Sequence, residues 1–295
     1  MNKSNSFLKF CLGTVQFGKT YGLKNIRDVE ITDETIEAIF KKFIDNGGVY
    51  IDTAKNYGNS EKRISKFLKP ELKVISKFQL TNKKGKLADD VKESLDDLGI
   101  SKLDTALIHN PEYLNPSLTN IDELIDLKNM NLCSNIGISI YSHDDIFYKS
   151  NADTEELLSL IDILQIQANA FDKSFFNDKK IENIKKHNIR VDIRSIFLQG
   201  LLLQGKESAI NLFPNFHAEI SSWHDYCKYN KLSLLEASIL NVLNLYEGKS
   251  LILFGCRSLN EIEEILDALS ADNKLTNNFV SYFSNNLTDP RLWNK

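Results

Sequence analysis

Residues 74–109, VISKFQLTNKKGKLADDVKESLDDLGISKLDTALIH, hold one complete unit of the fold. Val74–Phe78 is a short, almost continuously apolar run, and Leu103–His109 is a second one. Runs this short and this apolar suit parallel strands buried on both faces. Between them Leu87, Val91, Leu95 and Leu98 recur at helical spacing, and Gly99 closes the stripe as a helix C-cap does. Strand, helix and strand in that order predict a βαβ unit with its two strands parallel.

The same pattern extends in both directions. Phe10–Val15, Val49–Ala54, Asn135–Ile140, Ile163–Ala168, Val191–Phe197 and Leu251–Cys256 bring the candidate strands to eight. Thr32-Asp33-Glu34 opens a helical stripe through Ile36, Ile39, Phe40 and Phe43, which Gly47-Gly48 closes. Ser258 reads as the N-cap of a stripe through Ile262, Ile265, Leu266 and Leu269, with Glu261 placed as in a capping box. Eight such units predict an α/β fold, the closed (β/α)8 TIM barrel. The gap from Phe197 to Leu251 is the longest and holds helical stretches around His217–Tyr229 and Ser233–Leu245. The tail from Leu275 to Lys295 reads as an extra C-terminal helix, ending in Asp289-Pro290-Arg291-Leu292-Trp293. No Pro/Gly/Ser-rich linker interrupts the chain, so residues 1–295 are expected to form a single domain.

Composition narrows the function classes. The 36 Lys and Arg against 40 Asp and Glu give a net charge of −4, and no run of five or six like charges appears. There is therefore no electrostatic case for a nucleic-acid or anionic-membrane partner. Cys11, Cys133, Cys227 and Cys256 form no CxxC pair and read as reduced thiols. Met1–Phe10 lacks the apolar core of a signal peptide, and no stretch has the length of a membrane span. A cytoplasmic location is expected. No HxH, HExxH or GxSxG pattern supports a metal site or a hydrolase elbow.

In barrels of this kind the chemistry sits where strands end and βα loops begin. Asp52 lies near the end of the second strand, with Tyr57 five residues on. Lys77 falls at the end of the third, and His109 closes the fourth. Taken singly, each has an ordinary reading: a turn former, a packed phenol, a solvated amine, a turn histidine. Together, at equivalent positions on consecutive strands, they make a coherent acid. A nearby ammonium stabilises a phenolate and lowers the hydroxyl's pKa. Asp52 supplies that ammonium with its counter-charge, and His109 orients a carbonyl oxygen. A carbonyl being protonated also needs a hydride, which no side chain provides, so the set implies a nicotinamide cofactor.

At this point the sequence resembles the aldo-keto reductase family. The resemblance rests on Leu12-Gly13-Thr14, on Ile51-Asp52-Thr53-Ala54-x-x-Tyr57-Gly58-x-Ser60-Glu61, and on Ser76-Lys77 and His109. It continues through Ile136-Gly137-Ile138-Ser139, Gln165-x-x-x-Asn169 and Ser195-x-x-x-x-Gly200-Leu201-Leu202 to the segment from Gly255, nearly the whole chain. It implies an NAD(P)H-dependent reductase of an aldehyde or ketone, a sugar or sugar derivative among the candidates. Tyr57 would be the acid, Lys77 and Asp52 its tuning pair, and His109 the orienting donor. Ser139 and Gln165 would face the nicotinamide carboxamide, with Asn169 supporting their loop. Gly255-Cys256-Arg257-Ser258 would meet the adenosine phosphate at a helix N-terminus. The opening Gln16-Phe17-Gly18 and Tyr21-Gly22 resemble a bacterial branch with poorly defined substrates.

Several positions depart from the family. Ile140 stands where Asn is common, which removes one polar contact to the cofactor. Arg194 stands where an aromatic often stacks on the nicotinamide; a guanidinium there can stack on a ring or hold a phosphate or carboxylate. Glu261 and Ile265 replace a frequent Gln or Arg and a frequent Asn. Arg194, Ser195, Gly200, Gly255, Arg257, Ser258 and Glu261 complete the expected cofactor site. Arg257 favours NADPH, with NADH admissible. Phe17, Tyr21 and Asn110 are the expected substrate contacts, and the resemblance implies a monomer. The competing reading is a nucleotide-binding accessory or regulatory subunit of the same fold.

Overall fold

A computed structural model of the chain describes residues 10–23, 31–81, 83, 85–110, 120–142, 145, 151–177, 180–243, 245, 250–270, 279 and 283–293. Eight parallel strands form a closed barrel. They are β1 (Phe10–Gly13), β2 (Tyr50–Asp52), β3 (Lys73–Phe78), β4 (Leu103–Ile108), β5 (Cys133–Ile140), β6 (Ile163–Gln167), β7 (Arg190–Arg194) and β8 (Ile252–Gly255). Each pairs with its successor, and β8 returns to β1 with Gly13 opposite both Asp52 and Gly255. All eight apolar runs are therefore strands of one sheet. β7 stops short of the expected Phe197, because Ser195 takes a left-handed backbone (φ 63°) that ends strand pairing.

The helices follow their sequence signals. Helix Asp33–Asp45 starts where Thr32 Oγ1 accepts the Thr35 N–H, and it buries Ile36, Ile39, Phe40 and Phe43. Helix Lys86–Leu98 buries Leu87, Val91, Leu95 and Leu98 and ends on Gly99 at φ 67°. At helix Leu259–Ser270 the expected capping box forms on one side only. Ser258 Oγ accepts the Glu261 N–H, but the Glu261 carboxylate accepts from the Arg257 N–H rather than from Ser258. The long connection between β7 and β8 holds helices Lys206–Leu212, His217–Tyr229 and Leu234–Leu240. Of the C-terminal tail, residues 275–278, 280–282, 294 and 295 lie outside the described residues. The rest includes a one-turn helix, Asn285–Thr288, and a 3-10 turn, Pro290–Leu292.

One large apolar core fills the space between sheet and helices. A small one, Cys11, Ile75, Leu107, Ile163, Leu251 and Leu253 with Tyr50 against it, forms a separate cluster on the alternate strand positions. Side chains two apart along a strand share a face. Two residues on from Cys11, Tyr50, Ile75, Leu107, Ile163 and Leu253 stand Gly13, Asp52, Lys77, His109, Gln165 and Gly255. All six line the cavity at the C-terminal mouth of the barrel. The apolar cluster is thus the floor on which the site stands.

A further cluster packs the long connection against the tail. Trp223 is buried against Phe171 and Phe279, and its Nε1–H donates to the Leu202 carbonyl at 3.1 Å. This anchors the 198–203 segment, whose Gln199, Gly200 and Leu203 border the cavity. Trp223→Ala should cost about 3–5 kcal/mol. The loss should appear as a lower urea midpoint at unchanged slope, and Trp223→Phe should cost less.

Candidate active site

The cavity measures about 870 Å³ and runs from Tyr57, Lys77 and His109 to Arg257, Glu261 and Ile265. Its catalytic end is built from β2, β3 and β4. Asp52 is the last residue of β2, Lys77 the fifth of β3, and His109 follows β4, its N–H on the Phe78 carbonyl at 2.8 Å.

Tyr57 is carried by a tight loop, with its N–H on the Ala54 carbonyl at 2.9 Å. Gly18 presses on that loop: a Cβ there would fall 1.8 Å from the Tyr57 carbonyl oxygen. Glycine is therefore required for the approach. Glu61, in the next turn, is buried and accepts from Ser76 Oγ at 2.6 Å and Ser94 Oγ at 2.8 Å. Glu61 thus anchors the Tyr57 loop to β3 and helix Lys86–Leu98, while the Ser60 hydroxyl ties it to Thr14.

Lys77 is almost wholly buried and forms an ion pair with Asp52 Oδ1. It also donates to the Thr53 carbonyl at 2.7 Å and lies 3.5 Å from the Tyr57 hydroxyl. Asp52 Oδ2 accepts from Gln165 Nε2 at 2.9 Å, and Gln165 Oε1 accepts from Ser139 Oγ at 3.0 Å. Arg194 Nε donates in turn to Ser139 Oγ at 3.3 Å. One hydrogen-bonded chain therefore crosses the barrel from β7 to β3. Arg194 also donates to the Ser195 hydroxyl and the Ile140 carbonyl, each at 3.0 Å, and its guanidinium lies 4.0 Å from the Tyr141 ring centre.

The expected lowering of the Tyr57 pKa is not what the surroundings produce. Burial pushes the hydroxyl above its ordinary value and Asp52 adds to the rise, while Arg194 opposes it. The ammonium of Lys77 is already balanced by Asp52, so little of its field is left to favour a phenolate. Burial likewise raises Tyr21. His109 is held down to about 3, by burial first and then by the charges of Lys77, Arg194 and Lys19. At neutral pH the site therefore presents a protonated phenol and a neutral imidazole, whose rings meet edge-to-face at 5.9 Å.

The remaining expected residues divide. Tyr21, Ser195, Gly200, Gly255, Arg257 and Glu261 line the cavity, whereas Phe17, Asn110, Asn169 and Ser258 are outside its lining. Phe17 is a core residue whose ring packs against Phe40 at 6.4 Å. Asn110 ties down the loop after β3 instead, its amide bonding the Leu80 N–H at 2.8 Å and the Leu80 carbonyl at 3.2 Å. Asn169 Oδ1 accepts from Phe171 and Asp172, and its Nδ2 donates to the Ser195 carbonyl, which steadies the loop after β6. Arg257 forms a compact ion pair with Glu261, Nη2 to Oε1 at 2.6 Å. Gln16, Lys19, Asn56 and Tyr141 also line the cavity and were not foreseen. Tyr141 carried the usable signal, since it follows directly on the end of β5. Among the described residues no group of three or more His, Cys, Asp or Glu is placed to hold a metal, and no helix is long and apolar enough to cross a membrane. The four cysteines are buried and unbonded to one another.

An eight-stranded barrel with a phenol, a Lys–Asp ion pair and a neutral imidazole gathered at its C-terminal mouth has the arrangement of a barrel enzyme. The sequence matches the profile of the Aldo/keto reductase family over residues 9–285, and the chain belongs to that family. No curated protein matches it significantly. Among solved structures it is similar to the provisionally assigned aldo-keto reductase PA4992 of Pseudomonas aeruginosa. That match has 17% identity and a TM-score of 0.64, over 92% of this chain and 93% of that one. It is also similar to the glycerol dehydrogenase AKR11B4 of Gluconobacter oxydans, at 20% identity and a TM-score of 0.67, over 91% of this chain and 88% of that one. At these identities the likeness is one of fold.

The neutral imidazole has a consequence for stability. An unfolded histidine titrates near 6.5, but folded His109 does so only at about 3. Between those values the unfolded chain holds a proton that the folded chain refuses. Stability present above pH 6.5 is therefore lost as pH falls, and the loss levels off once the folded imidazole charges. His109→Gln removes this term. Relative to wild type, the variant should gain about 1.4 kcal/mol per unit below pH 6 in urea titrations. A difference independent of pH would contradict the neutral imidazole.

Proposed function

We propose that this protein is an NAD(P)H-dependent reductase of a small aldehyde or ketone, with Tyr57 as the proton donor. The observation that carries the reading is Tyr57 beside the buried Lys77–Asp52 pair, with neutral His109 against its ring. The cavity suits an extended dinucleotide. It reaches from that cluster to the N-terminus of helix Leu259–Ser270, and the Gln16 amide oxygen lining it is buried without a partner. Ser139 and Gln165 offer the hydroxyl and amide that a carboxamide can exchange bonds with. A bound nicotinamide dinucleotide supplies the hydride. Tyr57 donates its proton to the carbonyl oxygen as negative charge develops there, and the Lys77 ammonium then faces the phenolate. His109, neutral, donates a ring N–H that holds the carbonyl oxygen in place. The single-domain, monomeric, cytoplasmic setting read from the sequence belongs to the same proposal.

Tyr57→Phe should lower turnover by roughly 10²–10³-fold on any carbonyl that wild type reduces. NAD(P)H binding, followed by nicotinamide fluorescence, should survive. Unchanged turnover would show that Tyr57 is not the acid. An accessory subunit would bind nucleotide yet reduce nothing across a broad carbonyl panel.

The NADPH reading rests on Arg257, and Glu261 works against it. A 2′-phosphate near this pair meets the Glu261 carboxylate as well as the guanidinium. Glu261→Gln should raise the preference for NADPH over NADH about tenfold in binding titrations. An unchanged ratio would mean that the phosphate does not lie at Arg257.

A further inference from the structure

The charges at the catalytic end of the cavity do not balance. Four charged side chains border it there: Asp52, Lys77, Lys19 and Arg194. Asp52 and Lys77 neutralise each other. Lys19 reaches over the Tyr57 ring, 5.5 Å from its centre, and its ammonium donates to the Asn56 carbonyl, a neutral partner. Arg194 is bonded only to neutral groups, the Ser139 and Ser195 hydroxyls and the Ile140 carbonyl. Among the described residues no carboxylate pairs with either cation, although acidic groups stand elsewhere around the barrel. Asp192 is bound to Arg190 and Glu261 to Arg257, while Asp289, whose carboxyl feels the field of Arg194, is bound to Arg291.

Arg194 is also held in place. Its bonds fix it to the ends of β5 and β7, and its guanidinium stacks on Tyr141, a ring that Arg291 of the tail also approaches at 4.1 Å. A guanidinium has five donors, and these bonds leave N–H groups over. A partly buried cation with no carboxylate bonded to it is better satisfied when an anion arrives. The field of Arg194 reaches the reacting groups, since it opposes the rise at Tyr57 and helps keep His109 neutral.

We propose that Arg194, with Lys19 opposite the Tyr57 ring, binds an anionic group on the substrate, so that the carbonyl compound reduced here carries a carboxylate or a phosphate. This rests on the reductase reading above. An anion on Arg194 would tether the substrate within the same cavity as Tyr57 and His109, and Lys19 at the exposed rim would draw it in.

Two matched pairs of substrates test the proposal and separate the two anions: succinic semialdehyde against butanal, and glyceraldehyde 3-phosphate against glyceraldehyde. Wild type should favour the anionic member of at least one pair in kcat/KM by about tenfold or more, and Arg194→Gln should reduce that ratio about tenfold. Arg194→Lys should keep part of it, which separates charge recognition from a packing defect. Equal or better use of the neutral member in both pairs would overturn the proposal while leaving the reductase reading intact. A second arm needs no turnover: calorimetric binding of succinate and of inorganic phosphate to the nucleotide-saturated protein. Weakening of either anion by about tenfold in Arg194→Gln supports the anion site even if no carbonyl in the panel is reduced. Binding of both anions unchanged by the substitution, or absent from wild type, overturns it.

Discussion

The ion pair of Lys77 and Asp52 inside the barrel is the constraint around which the site is arranged. Two charges that are nearly free of solvent are tolerable only with good geometry and with their remaining hydrogen-bonding capacity filled. Each partner meets that demand through a different strand. Lys77 finds the Thr53 carbonyl as well as Asp52, and Asp52 finds the Gln165 amide from across the barrel. Gln165 then fixes Ser139, and Ser139 takes a bond from Arg194. Residues that would face the carboxamide and residues that would tune the acid thus form a single network. A ligand that turned the Gln165 amide would therefore act on the carboxylate beside Tyr57 as well.

Much of this was legible before the fold was known, for a definite reason. Strands buried on both faces need continuous apolar runs, and a barrel mouth needs polar residues where those runs end. Asp52, Lys77 and His109 satisfy both conditions at once, so position along the chain already implied position in space. The alternation beneath them makes the same point, since each stands two residues beyond a member of the inner apolar cluster or its neighbour Tyr50. Loop residues obey no such rule. Phe17 and Asn110 sit beside the mouth in sequence, yet one turns into the core against Phe40 and the other closes a loop by binding Leu80. What decides between those fates is a contact with a residue about 20 to 30 positions away, which no local pattern records.

Two departures from the family pattern meet in the structure. Ile140 removes a polar side chain from the end of β5, and Arg194 places one at the end of β7. In the structure Arg194 bonds the carbonyl of Ile140 and the hydroxyl of its neighbour Ser139. The bond goes to the main chain of Ile140, whose side chain is buried in the large apolar core. Nothing local in the sequence links the two positions, because they lie on non-adjacent strands. The pairing of Arg257 with Glu261 is similar: the capping-box spacing was visible, but the carboxylate bonds the residue before the cap.

The raised pKa of Tyr57 looks at first like an argument against the proposed acid, but it is compatible with one. A proton donor must carry its proton when the substrate arrives, and a buried phenol does so across the whole physiological range. Its weakness in the resting site is acceptable because the acceptor changes during the reaction. A carbonyl oxygen is a feeble base, but the alkoxide that forms as hydride arrives is a stronger base than a phenolate. The Lys77 ammonium, balanced by Asp52 at rest, then lies 3.5 Å from the oxygen that has just become negative. In the proposed reaction the drive for transfer would therefore come from the acceptor, whose basicity rises as charge develops on it, and not from a change at Lys77, which Asp52 still balances. Under that reading burial keeps the proton on Tyr57 until the acceptor is ready, and the ammonium 3.5 Å away limits the cost of the phenolate left behind.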